Sequence, residues 1–173
     1  MRKQIAVLAS ALLLGGGVYA QNALQTQKPK AYMVSDAHLD TQWNWDIQTT
    51  IKDYVWNTIS QNLFLLKQYP EYIFNFEGGV KYAWMKEYYP AQYEEMKKFI
   101  ESGRWHISGA SWDATDTLVP SIESALRNIM LGQDYYRKEF GVESTDIFLP
   151  DCFGFGWTLP AIAVSYTHLR AHE

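Results

Sequence analysis

The chain has 173 residues, of which 47% are hydrophobic and 16% aromatic, and its formal net charge is −4. This mildly acidic balance, without a basic run or patch, argues against nucleic acid as a partner. Cys152 is the only cysteine, so an intramolecular disulfide is excluded and stability must come from a hydrophobic core. The 7 Trp and 12 Tyr suit either a large core or a carbohydrate-facing surface.

Residues 1–20 have the three parts of a signal peptide: a basic start, an apolar run over 5–14, and a small-residue cleavage site at 18–20. The apolar run is short for a membrane span, although a retained N-terminal anchor is the alternative. The pattern predicts an exported protein, periplasmic or secreted from a bacterium, with no membrane span after cleavage. Residues 21–30 are predicted to be a polar linker.

Strands and helices are predicted to alternate from residue 31 onward. Short runs of apolar, β-branched and aromatic residues favour strands, whereas apolar residues spaced three and four apart favour helices. The predicted strands are 31–34, 72–76, 105–109 and 146–149. The predicted helices are about 47–68, 80–89, 90–102 and 122–140. This order predicts an α/β fold with a parallel sheet and helices packed outside it.

Polar residues follow each predicted strand, at the sheet edge where ligands bind in parallel α/β folds. His38 and Asp40 follow the first strand and point to the same side if the chain stays extended there. An imidazole and a carboxylate that converge can hold a divalent metal, with Zn²⁺ the first candidate for mixed nitrogen and oxygen ligands. From spacing alone, a turn role for His38 and a helix-capping role for Asp40 stay open. The residues that follow the other strands are Glu77, Trp112, Asp113, Asp116 and Asp151.

Three segments carry a family resemblance. They are His38-Leu39-Asp40-Thr41-Gln42-Trp43, then Gly109-Ala110-Ser111-Trp112 with Asp116 and residues 121–124, and finally Leu149-Pro150-Asp151-Cys152-Phe153-Gly154. The first resembles the H-x-D-x-x-W motif that opens the catalytic domain of glycoside hydrolase family 38, the zinc-dependent α-mannosidases. The order and separations of the three segments are similar to those of the family over roughly residues 31–162.

The resemblance implies the N-terminal portion of a seven-stranded β/α barrel. It implies a zinc ion held by His38, Asp40 and Asp151, with Asp151 also the nucleophile of a retaining glycosidase. It further implies that Trp43, Trp112 and Asp116 contact the substrate. From the residues alone, the two tryptophans also suit a core, and Asp116 also suits a solvated loop. The implied substrate is a mannose-containing oligosaccharide or glycoprotein glycan, cut at terminal α-mannosides.

Two parts of the family pattern have no matching position in this chain. The family's fourth zinc ligand, a histidine, and its general acid/base carboxylate both lie farther downstream, and a β/α barrel usually needs about 250 residues. The chain is therefore expected to be an N-terminal fragment of a larger enzyme, inactive alone. Residues 163–173 are expected to be a non-native tail, because residues 164–173 resemble a translated sequencing-adapter sequence, with a short terminal helix as the alternative.

Other functions fit some of the same residues. A polysaccharide deacetylase-like enzyme, also exported and metal-dependent, would use the same His-Asp pair, and it would release acetate rather than mannose. A non-catalytic carbohydrate-binding module would use Trp43, Trp45 and Trp112 and would bind glycans without metal. A fragment that binds zinc without turnover is a further alternative to the expected α-mannosidase.

Overall fold

The computed structural model describes residues 30–167. Its strands are β1 (Ser35–Ala37), β2 (Phe74–Phe76) and β3 (Trp105–Ile107). Its helices are α1 (Ile47–Thr49), the π-helical segment π1 (Thr50–Val55), α2 (Trp56–Gln68), α3 (Gly79–Tyr88), α4 (Pro90–Glu101), α5 (Ile122–Phe140) and α6 (Leu159–Thr167). The predicted signal peptide, the linker up to residue 29 and residues 168–173 of the predicted tail lie outside the described residues. Within 30–167, every helix is too short or too polar to cross a membrane.

The three strands form one parallel sheet in the order β1-β2-β3, as the alternating pattern predicts. Ala37 pairs with Phe76, and Phe76 pairs with Ile107, so the three strands end level with one another. Because parallel strands point the same way, the residues that follow them meet at one edge of the sheet. The mixed helix and sheet fold is therefore confirmed, while closure into a seven-stranded barrel stays a prediction.

One hydrophobic core joins the sheet to α2, α3 and α4. Phe74 and Phe76 of β2 are almost fully buried, and both pack their rings against Trp105 of β3. Burying a side chain of this size stabilises the fold by roughly 1.5–3 kcal/mol. The helices contribute a buried set of aliphatic, aromatic and sulfur-containing side chains: Val55, Ile59, Leu63, Leu66, Tyr82, Met85, Tyr93 and Met96. This packing fixes the strand ends from which the candidate site is built.

The boundaries of the four predicted helices agree closely with the structure. Pro90 stands at the start of α4, where its missing N–H leaves no hydrogen bond unmade. The Ser121 hydroxyl accepts the Ser124 N–H to cap α5, and Gly141 ends α5 with a left-handed φ of 66°. The predicted helix over 47–68 is present, but π1 interrupts its regular α-helical hydrogen bonding.

The first predicted strand is displaced, so its predicted position at 31–34 is wrong. Tyr32, Met33 and Val34 are 85%, 95% and 71% exposed, whereas pairing with β2 begins at Ser35. The prediction used the apolar run alone, whereas the position of a strand is set by backbone pairing with its neighbour, which here is β2.

The fourth predicted strand, at 146–149, is also wrong, since these residues form no strand in the part of the chain that the structure describes. The Gly109 N–H, which a parallel neighbour would use for its ladder, donates instead to the Asp146 carboxylate at 2.9 Å. Asp146 also accepts hydrogen bonds from the hydroxyls of Ser108 and Ser144, at 3.0 and 2.9 Å. The segment is thus held beside β3 by a side chain rather than by backbone pairing.

Candidate metal and substrate site

The structure brings together the three residues predicted to hold a metal. His38 directly follows β1, Asp40 lies two residues further on, and Asp151 lies in the loop before α6. Nε2 of His38 is 3.4 Å from Oδ1 of Asp40 and 3.7 Å from Oδ2 of Asp151. One ligating atom from each residue lies within 4.8 Å of the other two. One imidazole and two carboxylates therefore converge at the carboxyl edge of the sheet.

The His38 ring is oriented by Glu77, which directly follows β2. Nδ1 of His38 lies 2.8 Å from Oε1 of Glu77, and the Glu77 side chain is almost completely buried. This bond favours the tautomer with its proton on Nδ1 and the Nε2 lone pair directed towards Asp40 and Asp151. Nε2 is buried and has no hydrogen-bond partner among residues 30–167. A lone pair that faces two carboxylates fits a divalent cation, because the cation satisfies all three groups at once.

Opposing electrostatic effects act on Glu77. Burial raises the pKa of its carboxyl group, whereas the nearby Lys81 ammonium and the His38 ring act in the opposite direction. The sequence predicts that Glu77 lies at a strand end but indicates no role for it. The strand register was the missing signal: because Ala37 pairs with Phe76, the next residues of both strands must lie side by side.

A second cluster, which sequence analysis did not identify, lies beside the metal ligands. The Thr41 hydroxyl donates to Oδ1 of Asp113 at 2.6 Å, and Nζ of Lys81 lies 3.3 Å from the same oxygen. The Lys81 side chain is fully buried. A buried ammonium of this kind requires a charged or polar partner, and Asp113 provides one.

The indole of Trp43 is available to a ligand. Trp43 is 70% exposed and meets the ring of Trp45 edge-on, with ring centroids 5.9 Å apart. Trp45 packs on Tyr54 and donates its indole N–H to the Thr50 hydroxyl at 2.8 Å. An exposed indole supported from behind suits the apolar face of a sugar ring.

Trp112 is more strongly involved in packing than the sequence suggests. Its ring lies against α3, where a Cβ added to Gly79 would come within 2.8 Å of it. The ring also meets Tyr135 of α5 edge-on, with centroids 5.5 Å apart. Trp112 therefore joins two helices, and its contact with a sugar stays a prediction.

Asp116 caps its own loop. Its Oδ1 accepts the backbone N–H groups of Leu118 and Val119 at 2.7 and 3.0 Å, and these bonds lower the pKa of the carboxyl group. The charge of Asp116 also reaches Cys152, the residue after Asp151, and contributes to the raised pKa of that thiol, for which burial is the main cause. Asp116 thus lies near the site, and its role in substrate binding stays a prediction.

Comparison with known proteins identifies the family of this chain. The model of the glycosyl hydrolases family 38 N-terminal domain matches residues 28–167, and the chain belongs to that family. Alpha-mannosidase G of Dictyostelium discoideum is 32% identical over 144 residues, which are 83% of this chain and 13% of that protein. Alpha-mannosidase 2C1 of Homo sapiens is 32% identical over 127 residues, covering 72% of this chain and 12% of that protein.

Solved structures agree with the fold. The alpha-mannosidase from Enterococcus faecalis V583 superposes with a TM-score of 0.70 at 23% identity, covering 78% of this chain and 15% of that one. The 4-alpha-glucanotransferase from Thermococcus litoralis gives a TM-score of 0.59 at 17% identity, covering 78% of this chain and 20% of that one. The chain spans about an eighth of the length of the curated relatives. The family membership does not favour the deacetylase-like or the binding-module alternative.

Proposed function

We propose that this chain is the N-terminal part of the catalytic domain of a retaining, zinc-dependent α-mannosidase, inactive without the residues that complete the site. The observation that carries the proposal is the convergence of His38, Asp40 and Asp151 at the carboxyl edge of the sheet, in a chain of family 38. The orphaned Nε2 of His38 and the two carboxylates form a donor set that suits zinc. The proposed substrates are terminal α-mannosides of oligosaccharides or glycoprotein glycans.

Asp151 is the proposed nucleophile. Its side chain is 53% exposed, so a substrate can approach the carboxylate. One carboxylate oxygen attacks the anomeric carbon as the glycosidic C–O bond breaks, and the leaving oxygen takes a proton from an acid that we assign to no residue of 30–167. Water then attacks the anomeric carbon of the glycosyl ester and gives its proton to the conjugate base of the same acid, which releases mannose with retained configuration and restores the Asp151 carboxylate. Bound zinc would supply a Lewis acid that holds sugar hydroxyls and favours the ionised carboxylate.

The other residues of the site bind or orient. Glu77 holds the His38 ring in the tautomer that presents Nε2, and Trp43 offers its indole face to the sugar.

Residues 1–20 support export to the periplasm or the medium. A matching test is sequencing of the mature N-terminus, which should begin at Gln21.

Zinc binding tests the metal site directly. Calorimetric titration of the metal-free chain with Zn²⁺ should show about one ion per chain for the wild type. Asp40→Asn should weaken binding at least about tenfold, because it removes a ligand charge. Asp53→Asn is the matched control, since Asp53 is an exposed aspartate on π1, and it should leave the affinity unchanged.

Turnover tests the reaction class. Reading the source DNA onward past codon 162 should reveal further β/α units and supply the complete gene product for assay. That protein should release mannose from an α-mannoside, and chelator or Asp151→Asn should abolish the release. Release of acetate from an acetylated polysaccharide would favour the deacetylase alternative, and metal-independent glycan binding without hydrolysis would favour the binding module.

A further inference from the structure

The loop that follows β1 and carries His38 and Asp40 is anchored at Thr41. Its hydroxyl donates to Oδ1 of Asp113 at 2.6 Å, and its carbonyl accepts the hydroxyl of Thr50 at 2.8 Å. The hydroxyl and the carbonyl of Thr41 are thus held by two separate parts of the chain, the loop after β3 and the start of π1. The backbone that carries the Asp40 carboxylate therefore has little freedom to move.

Asp113 is itself a fixed partner. Its Oδ1 accepts the Ala114 N–H at 2.8 Å, and its own backbone N–H donates to Oδ1 of Asn128 in α5 at 2.9 Å. The ammonium of the fully buried Lys81 lies 3.3 Å from the same carboxylate oxygen. Lys81 is fully buried and the Asp113 side chain is 34% exposed, so removing the Asp113 carboxylate would leave a buried ammonium without this partner, and the pair thereby holds Asp113 in place.

Neither Asp113 nor Lys81 belongs to the metal-ligand trio, and the proposed reaction does not use them. We propose that Thr41, Asp113 and Lys81 are positioning residues that hold Asp40 at the metal. This inference rests on the proposed metal site and adds the device that holds one of its ligands. Such a device is needed because ligand distances in metal sites tolerate errors of only about 0.2 Å.

The test compares Thr41→Val with Thr41→Ser in the 173-residue chain, titrated with Zn²⁺ alone. Valine keeps the branched shape and loses the hydroxyl, whereas serine keeps the hydroxyl. Zinc affinity should fall about tenfold or more in T41V, the range typical of groups that orient metal ligands, and should stay within about threefold of wild type in T41S. Lys81→Met should weaken binding to a similar extent. Lys86→Met on the same helix is the control, since Lys86 pairs with Glu139 at the surface, and it should bind zinc as the wild type does.

Amide hydrogen exchange in the metal-free protein separates local from global effects. T41V should speed exchange in residues 40–45 and leave β2 protected, while T41S should match the wild type. If T41V bound zinc as tightly as the wild type, the inference would be overturned while the proposed function stood. The same would follow if T41V left hydrogen exchange in residues 40–45 unchanged. Equal acceleration over 40–45 and β2 would overturn it in favour of a purely structural role. A wild-type chain that binds no zinc would overturn the proposed function and this inference with it.

Discussion

Replacing Gly132 with alanine should destabilise the protein, although alanine is the better helix former. Gly132 lies in the middle of α5, where the helix passes directly over the loop that follows β3. A Cβ at this position would lie 2.6 Å from the backbone nitrogen of Trp112, and closer still to backbone atoms of Ala110 and Ser111. Ordinary contact begins at 3.4 Å, and backbone cannot move aside as a flexible side chain can. Helix and loop must therefore separate.

The expected size of the effect follows from three contributions. Glycine to alanine in a helix interior gains about 1 kcal/mol, and overpacking costs about 1–3 kcal/mol. Separation also strains the hydrogen bond from the Trp112 N–H to the Asn128 carbonyl, 2.8 Å long, which is worth about 1 kcal/mol. The net loss of unfolding free energy is then about 1–3 kcal/mol.

Urea unfolding followed by circular dichroism measures this difference. The control is Leu131→Ala at the adjacent position, which is 56% exposed and should change stability by less than about 0.5 kcal/mol. If Gly132→Ala raised the free energy of unfolding, helix propensity alone would govern the position. The close approach of α5 to the loop would then be refuted.

Glu77→Gln should lower zinc affinity about 10- to 100-fold, because an amide orients the His38 ring less strongly than a carboxylate does. Calorimetric titration with Zn²⁺ measures the change, and Glu87→Gln at an exposed position of α3 is the control. Equal zinc affinities of Glu77→Gln and the wild type would contradict the orienting role. Lys86→Met should lower stability by a few tenths of a kcal/mol at neutral pH, since Lys86 is the main cause of the lowered pKa of Glu139. Because that pKa is depressed in the folded state, the stabilisation is present above the ordinary value of 4.5 and is lost as pH falls through the folded value. Urea midpoints of wild type and variant should therefore converge in acid, and a difference that persisted there would exclude the ion pair as its cause.

Local sequence patterns were sufficient for the helices up to residue 140. The capping serine at 121 and the glycine at 141 act within a few residues of chain, so their geometry follows from neighbouring sequence alone. The placement of His38 and Asp40 at the carboxyl edge of the sheet follows from the alternation of strands and helices, whereas Asp151 reaches the same place from a loop and not from the predicted strand at 146–149. Their roles as zinc ligands and nucleophile stay predictions.

What the sequence could not reveal depends on pairs of residues far apart in the chain. Lys81 reads as an ordinary surface lysine of an amphipathic helix, and only the fold places Asp113, 32 residues later, beside its ammonium. The predicted strand at 146–149 failed for a similar reason. Its composition favours a strand, but the Gly109 N–H, which backbone pairing with β3 would use, donates to the Asp146 carboxylate instead.

The π-helical segment π1 makes the helix over 47–68 sensitive to the insertion or deletion of a single residue. Its i to i+5 bonding lets Thr50 and Val55, five residues apart, share the buried face that continues with Ile59. Deleting one residue from 51–54 would restore the α-helical repeat, in which each residue turns by about 100°. The deletion would shift Thr50 relative to α2 and disturb the hydrogen bonds that its hydroxyl makes with the Trp45 indole and the Thr41 carbonyl. A length change in π1 would therefore be transmitted through Thr50 to Thr41, the residue after Asp40, even where α2 keeps its core contacts.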